Sequence, residues 1–311
     1  GRTKSGWRGT VLPVIGSALL ALVIGCKSDT IPAEVTEMVI PGTRDSLLLA
    51  LEALNGQVVA TPGDAALYVR RAGHYAALDS LGKALADMDR ALGLDSTKAY
   101  FHLVHGDLLY RAVRVEPALA AFERASALEA TNTQALLKRA EIELVLRRYA
   151  KAIEHVNAAL RMDPNIGHGY YLKGFIHMEV GDTTLAISSL RTAVEQDPQD
   201  FASFVLLGQL SSAQGDPLAA NYYRSALEVR PNSVEGWYNL GMHYQENGQD
   251  SLALEAYARI MEIDPNNALA WYNSGWVRME HLDQPKQAEA DFSRAIDLAP
   301  DYADAWYNRG V

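Results

Sequence analysis

The chain has 311 residues, of which 28 are Lys or Arg and 38 are Asp or Glu, giving a net charge of -10. That balance repels phosphate backbones, and the basic residues are scattered rather than gathered in a stripe, so a nucleic-acid partner is excluded. The chain has one cysteine, which rules out an internal disulfide.

The first residues are basic: Arg2, Lys4 and Arg8 stand with no acid among them. Val11 to Gly25 is then almost wholly apolar. As a helix this run rises only about 22 Å, short of the roughly 30 Å hydrocarbon core of a bilayer. A basic start, a short apolar run and a small residue before a cut describe a secretory signal. Val23-Ile24-Gly25-Cys26 resembles the bacterial lipobox. The resemblance implies a signal peptide over residues 1–25 and acylation of the Cys26 thiol. Two or three acyl chains hold a protein firmly to a membrane where one does not. Lys27 stands where lipoproteins kept in the inner membrane carry aspartate, so the resemblance further implies the bacterial outer membrane.

Residues 26–63 form a tether, with Pro32, Pro41 and Gly42 among scattered polar residues. Within it the sequence predicts a short capping helix over about 45–54. Asp45-Ser46 opens it, Leu47, Leu48, Leu49, Leu51 and Leu54 follow, and Asn55-Gly56 ends it. It is expected to cover the apolar edge of the repeat array that follows, since terminal repeats need a cap.

From residue 64 to 311 the chain repeats. Pro164, Pro198, Pro231, Pro265 and Pro300 mark a period near 34 residues, which signals one helical hairpin copied many times. The copies start at Ala65, Ala99, Thr133, Gly167, Phe201, Val234 and Ala268, with a partial eighth from Ala303. Position 4 is large: Tyr68, His102, Leu136, Tyr170, Phe204, Trp237, Trp271, Trp306. Position 8 is small: Ala72, Gly106, Ala140, Gly174, Gly208, Gly241, Gly275, Gly310. A knob four residues before a gap lets a neighbouring helix come close. The second helix carries alanines (Ala84, Ala118, Ala152, Ala186, Ala219, Ala253, Ala288), each followed four residues on by a volume-filling residue from Met88 to Phe292. The apolar spacing is helical throughout. Gly181, Gly215 and Gly248 break the chain between helices, and Asp-Pro pairs end the second helix.

This pattern resembles the tetratricopeptide repeat. "EGWYNLGMHY" followed by "SLALEAYARIMEIDPNN" lies close to the family consensus; copies 1 to 3 are looser, with Ser96 and Ala130 in place of proline in the first two. The resemblance implies an all-α fold, a right-handed α-α superhelix of about seven helical hairpins plus a partial eighth. It also implies a concave groove lined by positions 2, 5, 6, 9 and 12 of each first helix. On this chain those positions give Tyr171, Phe175 and Met178 in copy 4, and Tyr238, Asn239 and Met242 in copy 6. Copy 7 adds Tyr272, Asn273, Trp276 and Met279, and copy 8 adds Tyr307 and Asn308. Aromatic anchors carry much of the energy of interfaces. An asparagine column (Asn239, Asn273, Asn308) offers donors and acceptors to a peptide backbone. The lysine and asparagine pair of chaperone-binding members is missing from every copy.

No phosphate loop, dinucleotide fingerprint or Gly-x-Ser-x-Gly elbow is present. His102 and His105 have a spacing that can serve a metal, but their repeat positions pack inward and make them core residues. The expectation is therefore a non-enzymatic scaffold with a protein partner, no cofactor, no metal and no small-molecule substrate. Two alternatives stand beside it: a permanent structural subunit of a large complex, and the interaction part of a longer protein with an enzymatic domain beyond residue 311. Gly1 is not a start methionine, and Trp306 and Tyr307 end the sequence on an apolar face, so the natural protein is expected to extend both ways.

Overall fold

Each first helix starts at the residue that opens its frame, and five of the eight are held there by a polar side-chain cap. Asp64, Asn132, Asp200, Ser233 and Asn267 accept from backbone N–H groups two or three residues on, at 2.9–3.1 Å. Such caps satisfy donors that the helix itself leaves open. The computed structural model describes residues 43–310, which are all-helical: sixteen helices and no strand among them. Cys26 and the segment 1–25 lie outside the described residues.

The chain forms two compact units that divide between Pro164 and Asn165. In the first, α1 is Arg44–Ala60, and three hairpins follow. They are α2 (Ala65–Ala77) with α3 (Leu81–Leu94), α4 (Ala99–Arg111) with α5 (Val115–Leu128), and α6 (Thr133–Val145) with α7 (Tyr149–Met162). The second unit holds α8 (Gly167–Glu179) with α9 (Thr183–Gln196), and α10 (Phe201–Ala213) with α11 (Ala219–Val229). It continues with α12 (Val234–Glu246) and α13 (Asp250–Ile263), then α14 (Ala268–Glu280) and α15 (Pro285–Leu298), and ends with α16 (Ala303–Arg309).

The capping helix is longer than the sequence suggests. It runs on through Asn55-Gly56 to Ala60. The reason is packing: Leu51, Leu54 and Val58 are buried, the last two in one cluster with Leu67, Tyr68 and Val69 of α2. Asn55 takes a hydrogen bond from Arg71 (3.0 Å) rather than ending the helix. Tertiary burial overrides the weak local stop.

Within every hairpin the first helix ends the same way. One residue takes positive φ, and in copies 1 to 6 the next backbone N–H reaches back five residues, as in Asp182 to His177 (2.8 Å) and Gln249 to Tyr244 (2.8 Å). Glycine serves this left-handed position in copies 4 to 6, at Gly181, Gly215 and Gly248, with φ of 83°, 69° and 68°. Copy 2 places Val113 there at φ 60°, exposed, at a cost of about 1–2 kcal/mol for a side chain with a Cβ. Copy 7 carries one extra residue, and its closing bond runs from Gln284 to Arg278 instead.

The gap at position 8 is filled from the second helix. A Cβ built on Gly106, Gly174, Gly208, Gly241 or Gly275 would meet Phe122, Leu190, Tyr223, Tyr257 or Phe292 at 2.5–2.9 Å. The knob that the sequence placed at position 4 does something else. Tyr68, Trp237 and Trp306 donate to the carbonyls of Pro62, Pro231 and Pro300, six residues back, at 3.1, 2.9 and 2.9 Å. His102 makes the equivalent contact with the Ser96 carbonyl at 3.0 Å. In these four copies position 4 thus ties the first helix to the loop before it, whereas Leu136 and Phe204 have no polar group to do so and the Trp271 indole N–H has no partner among the described residues.

Gly208→Ala is expected to destabilise the chain by about 1–2 kcal/mol in urea unfolding followed by circular dichroism. Overpacking costs about 1–3 kcal/mol and outweighs a helix-propensity gain of about 1 kcal/mol. The double variant Gly208→Ala, Tyr223→Met should lose less than the two single changes added together, because they share one gap.

Candidate protein-binding face

The residues that the sequence assigned to a groove fall on the first helices of the second unit, and the structure sorts them into three groups. Met178, Tyr238, Asn239, Met242, Tyr272, Trp276, Met279 and Asn308 are half-buried, with part of each side chain open to solvent. Tyr307 is the most open, at 73% exposure. Tyr171, Phe175 and Asn273 are buried. Phe175, at 0%, packs between helices, because α8 turns position 9 into the core beside Ile176 and Leu172. Tyr171 lies under the His168 ring, stacked at 5.8 Å. These three are therefore removed from the accessible face.

The asparagine column is largely used within the protein. Asn308 donates to the Tyr272 hydroxyl at 3.0 Å, tying copy 8 to copy 7. Asn239 accepts from Gln209 at 3.5 Å, tying copy 6 to copy 5. Asn273 faces the Tyr238 phenol and opposes the upward shift that burial imposes on it. Its amide nitrogen nevertheless has no hydrogen-bond partner and almost no access to solvent. Position 6 of one copy thus points at position 5 or 9 of the copy before. A single copy offers no hint of this pairing, which only the stacking of first helices creates; α10 and α12 touch directly.

Several residues on this face escaped the sequence reasoning. His243 sits 2.8 Å from the Ser212 hydroxyl. Burial, with Arg224 second, pushes its imidazole below the usual range. Glu246 lies one helical turn beyond Met242 on the same side of α12. Glu246 is largely exposed, and the partial desolvation of its carboxyl is the one cause that raises it. The Glu246 charge acts on the phenols of Tyr223, Tyr238 and Tyr257, all raised chiefly by burial. Position 13, where Glu246 stands, was outside the positions considered; its spacing of four from position 9 is the signal that finds it.

The first unit carries a different face. On α4 and α6, Asp107, Arg111, Lys138 and Glu141 mix both signs, with Lys138 and Glu141 paired at 3.0 Å. Arg111 donates to the Ala76 carbonyl at 3.0 Å. Burial pushes the Asp107 carboxyl up to about 6, against Lys138, while Glu141 reinforces the shift. Elsewhere in this unit α3, α4 and α5 border a cleft of about 430 Å³, lined in part by Asp89, His102, His105 and Arg124. The two histidines are half-buried at its edge, not in the core. His105 lies 3.5 Å from Asp89, and burial holds its imidazole low. No cluster of three metal-ligating side chains occurs among the described residues.

Charge separates the units as well. Residues 43–164 carry 15 basic and 15 acidic residues, and residues 165–310 carry 9 and 20. Among the described residues no helix is long and apolar enough to cross a membrane.

Stacked hairpins of this period, closed by small residues and capped at one end, define a class of helical-repeat protein. Sequence profiles described as tetratricopeptide repeat match residues 103–165 and 272–311, 167–200, and 234–267, together more than half of the chain. The chain belongs to the tetratricopeptide repeat family. It is 29% identical over 92 residues to human tetratricopeptide repeat protein 33, covering 29% of this chain and 35% of that protein. It is 31% identical over 143 residues to human protein O-mannosyl-transferase TMTC3, covering 44% of this chain and 16% of that protein. The chain thus spans about a third or less of each of these relatives. Among solved structures it is similar to the APC/C hetero-tetramer Cut9-Hcn1. The TM-score is 0.55 at 18% identity, over 85% of this chain and 52% of that one, which is a likeness of fold.

Asp107 should make stability fall as pH rises from about 4 to about 6. Its pKa is raised on folding, so the unfolded chain releases the proton first and the folded chain is left to hold a buried charge. Asp107→Asn is expected to remove that loss. The variant should melt above the parent at pH 7, by about 1–3 kcal/mol, and match it near pH 4, as read by thermal melts across that range.

Proposed function

We propose that this chain is a non-enzymatic scaffold that binds a partner polypeptide along the first-helix face of residues 165–310. The observation that carries this reading is the band formed by Tyr238, Met242, Tyr272, Trp276, Met279 and Tyr307. These side chains keep open surface although buried glycine–aromatic contacts already close the hairpins behind them. Large, stiff rings and polarizable sulfur are the material of protein interfaces. Family membership supports the same reading, and Cut9, similar in fold, occurs with Hcn1 in a hetero-tetramer. The transferase named among the relatives matches over only 16% of its length, so its activity is not carried over.

The reading extends to the envelope. The lipobox resemblance at Val23-Ile24-Gly25-Cys26 supports acylation of Cys26 and residence at a bacterial outer membrane, where the repeats would hold a partner during assembly of an envelope complex. Lys27 supports the outer rather than the inner membrane.

Two experiments test the two halves. A photo-crosslinking residue placed at Met242 or Met279 should give polypeptide adducts in cells, whereas the same residue at Arg294, exposed on α15, should not. Trp276→Ala should cut adduct yield from Met242 several-fold without loss of helix content, and an unchanged yield would remove the face as the docking site. For the anchor, Cys26→Ser should abolish labelling by a fatty-acid analogue and release the chain from membranes; continued labelling would exclude lipidation at Cys26.

A further inference from the structure

The first-helix face of the second unit is acidic as well as aromatic, and four of its acids are left without counter-charges. Glu235, Glu246, Glu280 and Asp304 stand at positions 2 and 13, on the same side of α12, α14 and α16 as the aromatic band. All four are exposed, and none has an ion-pair partner among the described residues. Asp304 acts on the Tyr272 and Tyr302 phenols, as Glu246 does on Tyr238.

Five of the unit's nine basic residues are engaged elsewhere. Arg224, Arg230, Arg259 and Arg309 lie over Tyr244, Phe201, Trp237 and Trp306, at 5.9, 4.6, 5.8 and 4.4 Å from the ring centres. Arg278 pairs with Asp291 at 2.5 Å. Among the described residues no cation lies over Tyr238, Tyr272 or Trp276.

We propose that the occupant of this face is a cationic segment of a protein partner, its Lys or Arg side chains lying against Tyr238 and Tyr272 and pairing with Glu246 and Asp304. This deepens the scaffold reading and rests on it. Charge complementarity selects the occupant. A unit with 9 basic and 20 acidic residues repels a second copy of itself and any acidic peptide. A cation over an aromatic face with a carboxylate beside it is favourable on both counts.

The test is selection of a randomised dodecapeptide library on the full chain, with binding of the winners measured by fluorescence anisotropy. Winners should be rich in Lys and Arg. They should bind about three- to tenfold more weakly to the double variant Glu246→Gln, Asp304→Asn. They should bind unchanged to Glu255→Gln, Glu289→Gln, which removes the same charge from exposed sites on α13 and α15. Winners that are acidic or uncharged, equal weakening by both double variants, or a library that yields no binder would overturn the proposal. If uncharged winners appear and lose affinity with Trp276→Ala, only the cationic assignment falls. If winners ignore Trp276→Ala as well, the docking face falls with it.

Discussion

The fold depends on one volume constraint, the space between position 8 of each first helix and the large residue facing it from the second. Where the facing residue is Phe122, Leu190, Tyr223, Tyr257 or Phe292, position 8 is glycine, and an added Cβ would come within 2.9 Å of that side chain. In the two first-unit copies with alanine, Ala72 and Ala140, the equivalent facing residues are the slimmer Met88 and Val156. The sum of the two volumes stays nearly level while each member varies. Interiors packed to crystal density permit little else. A helix interior gives up about 1 kcal/mol by using glycine instead of alanine, and the aromatic burial it admits more than offsets that loss.

Because this contact lies inside each hairpin, the opposite side of the first helix is released from packing duty, and the two units use it differently. In the first unit Lys138 and Glu141 neutralise each other and Arg111 is tied to the Ala76 carbonyl, so the face is polar and internally balanced. In the second unit the same register carries rings, methionines and unpaired carboxylates. One backbone plan therefore supports two surfaces, and the difference is written only in residues that the fold does not need.

This division explains what was legible in the sequence. Helix starts and the small-to-large register repeat in every copy, which makes each rule visible, and glycine marks the left-handed positions of copies 4 to 6 at Gly181, Gly215 and Gly248. Features that arise between copies leave no mark within any one of them. Asn308 donating to Tyr272 spans 36 residues, and Gln209 donating to Asn239 spans 30. Phe175 was misplaced for a related reason. Position 9 is outward-facing in α14, where Trp276 is half-open, but inward in α8, where Phe175 is fully buried. The end of α1 was misjudged because Asn55-Gly56 is a local stop, whereas Leu54 and Val58 are held by contacts with the next helix.

The asparagine column shows how these levels interact. Asn239 and Asn308 spend hydrogen-bonding capacity on neighbouring copies, which stiffens the spacing of the first helices and so fixes the distances between the rings they carry. Asn273, between them, has its amide nitrogen left over. A column in which every amide was satisfied internally would be a purely structural seam. A column in which none was would leave the rings loosely placed and would lose more side-chain entropy on binding. With its outer members tied to neighbouring copies and its middle member buried against the Tyr238 phenol, the column sets the intervals at which the second unit presents its rings.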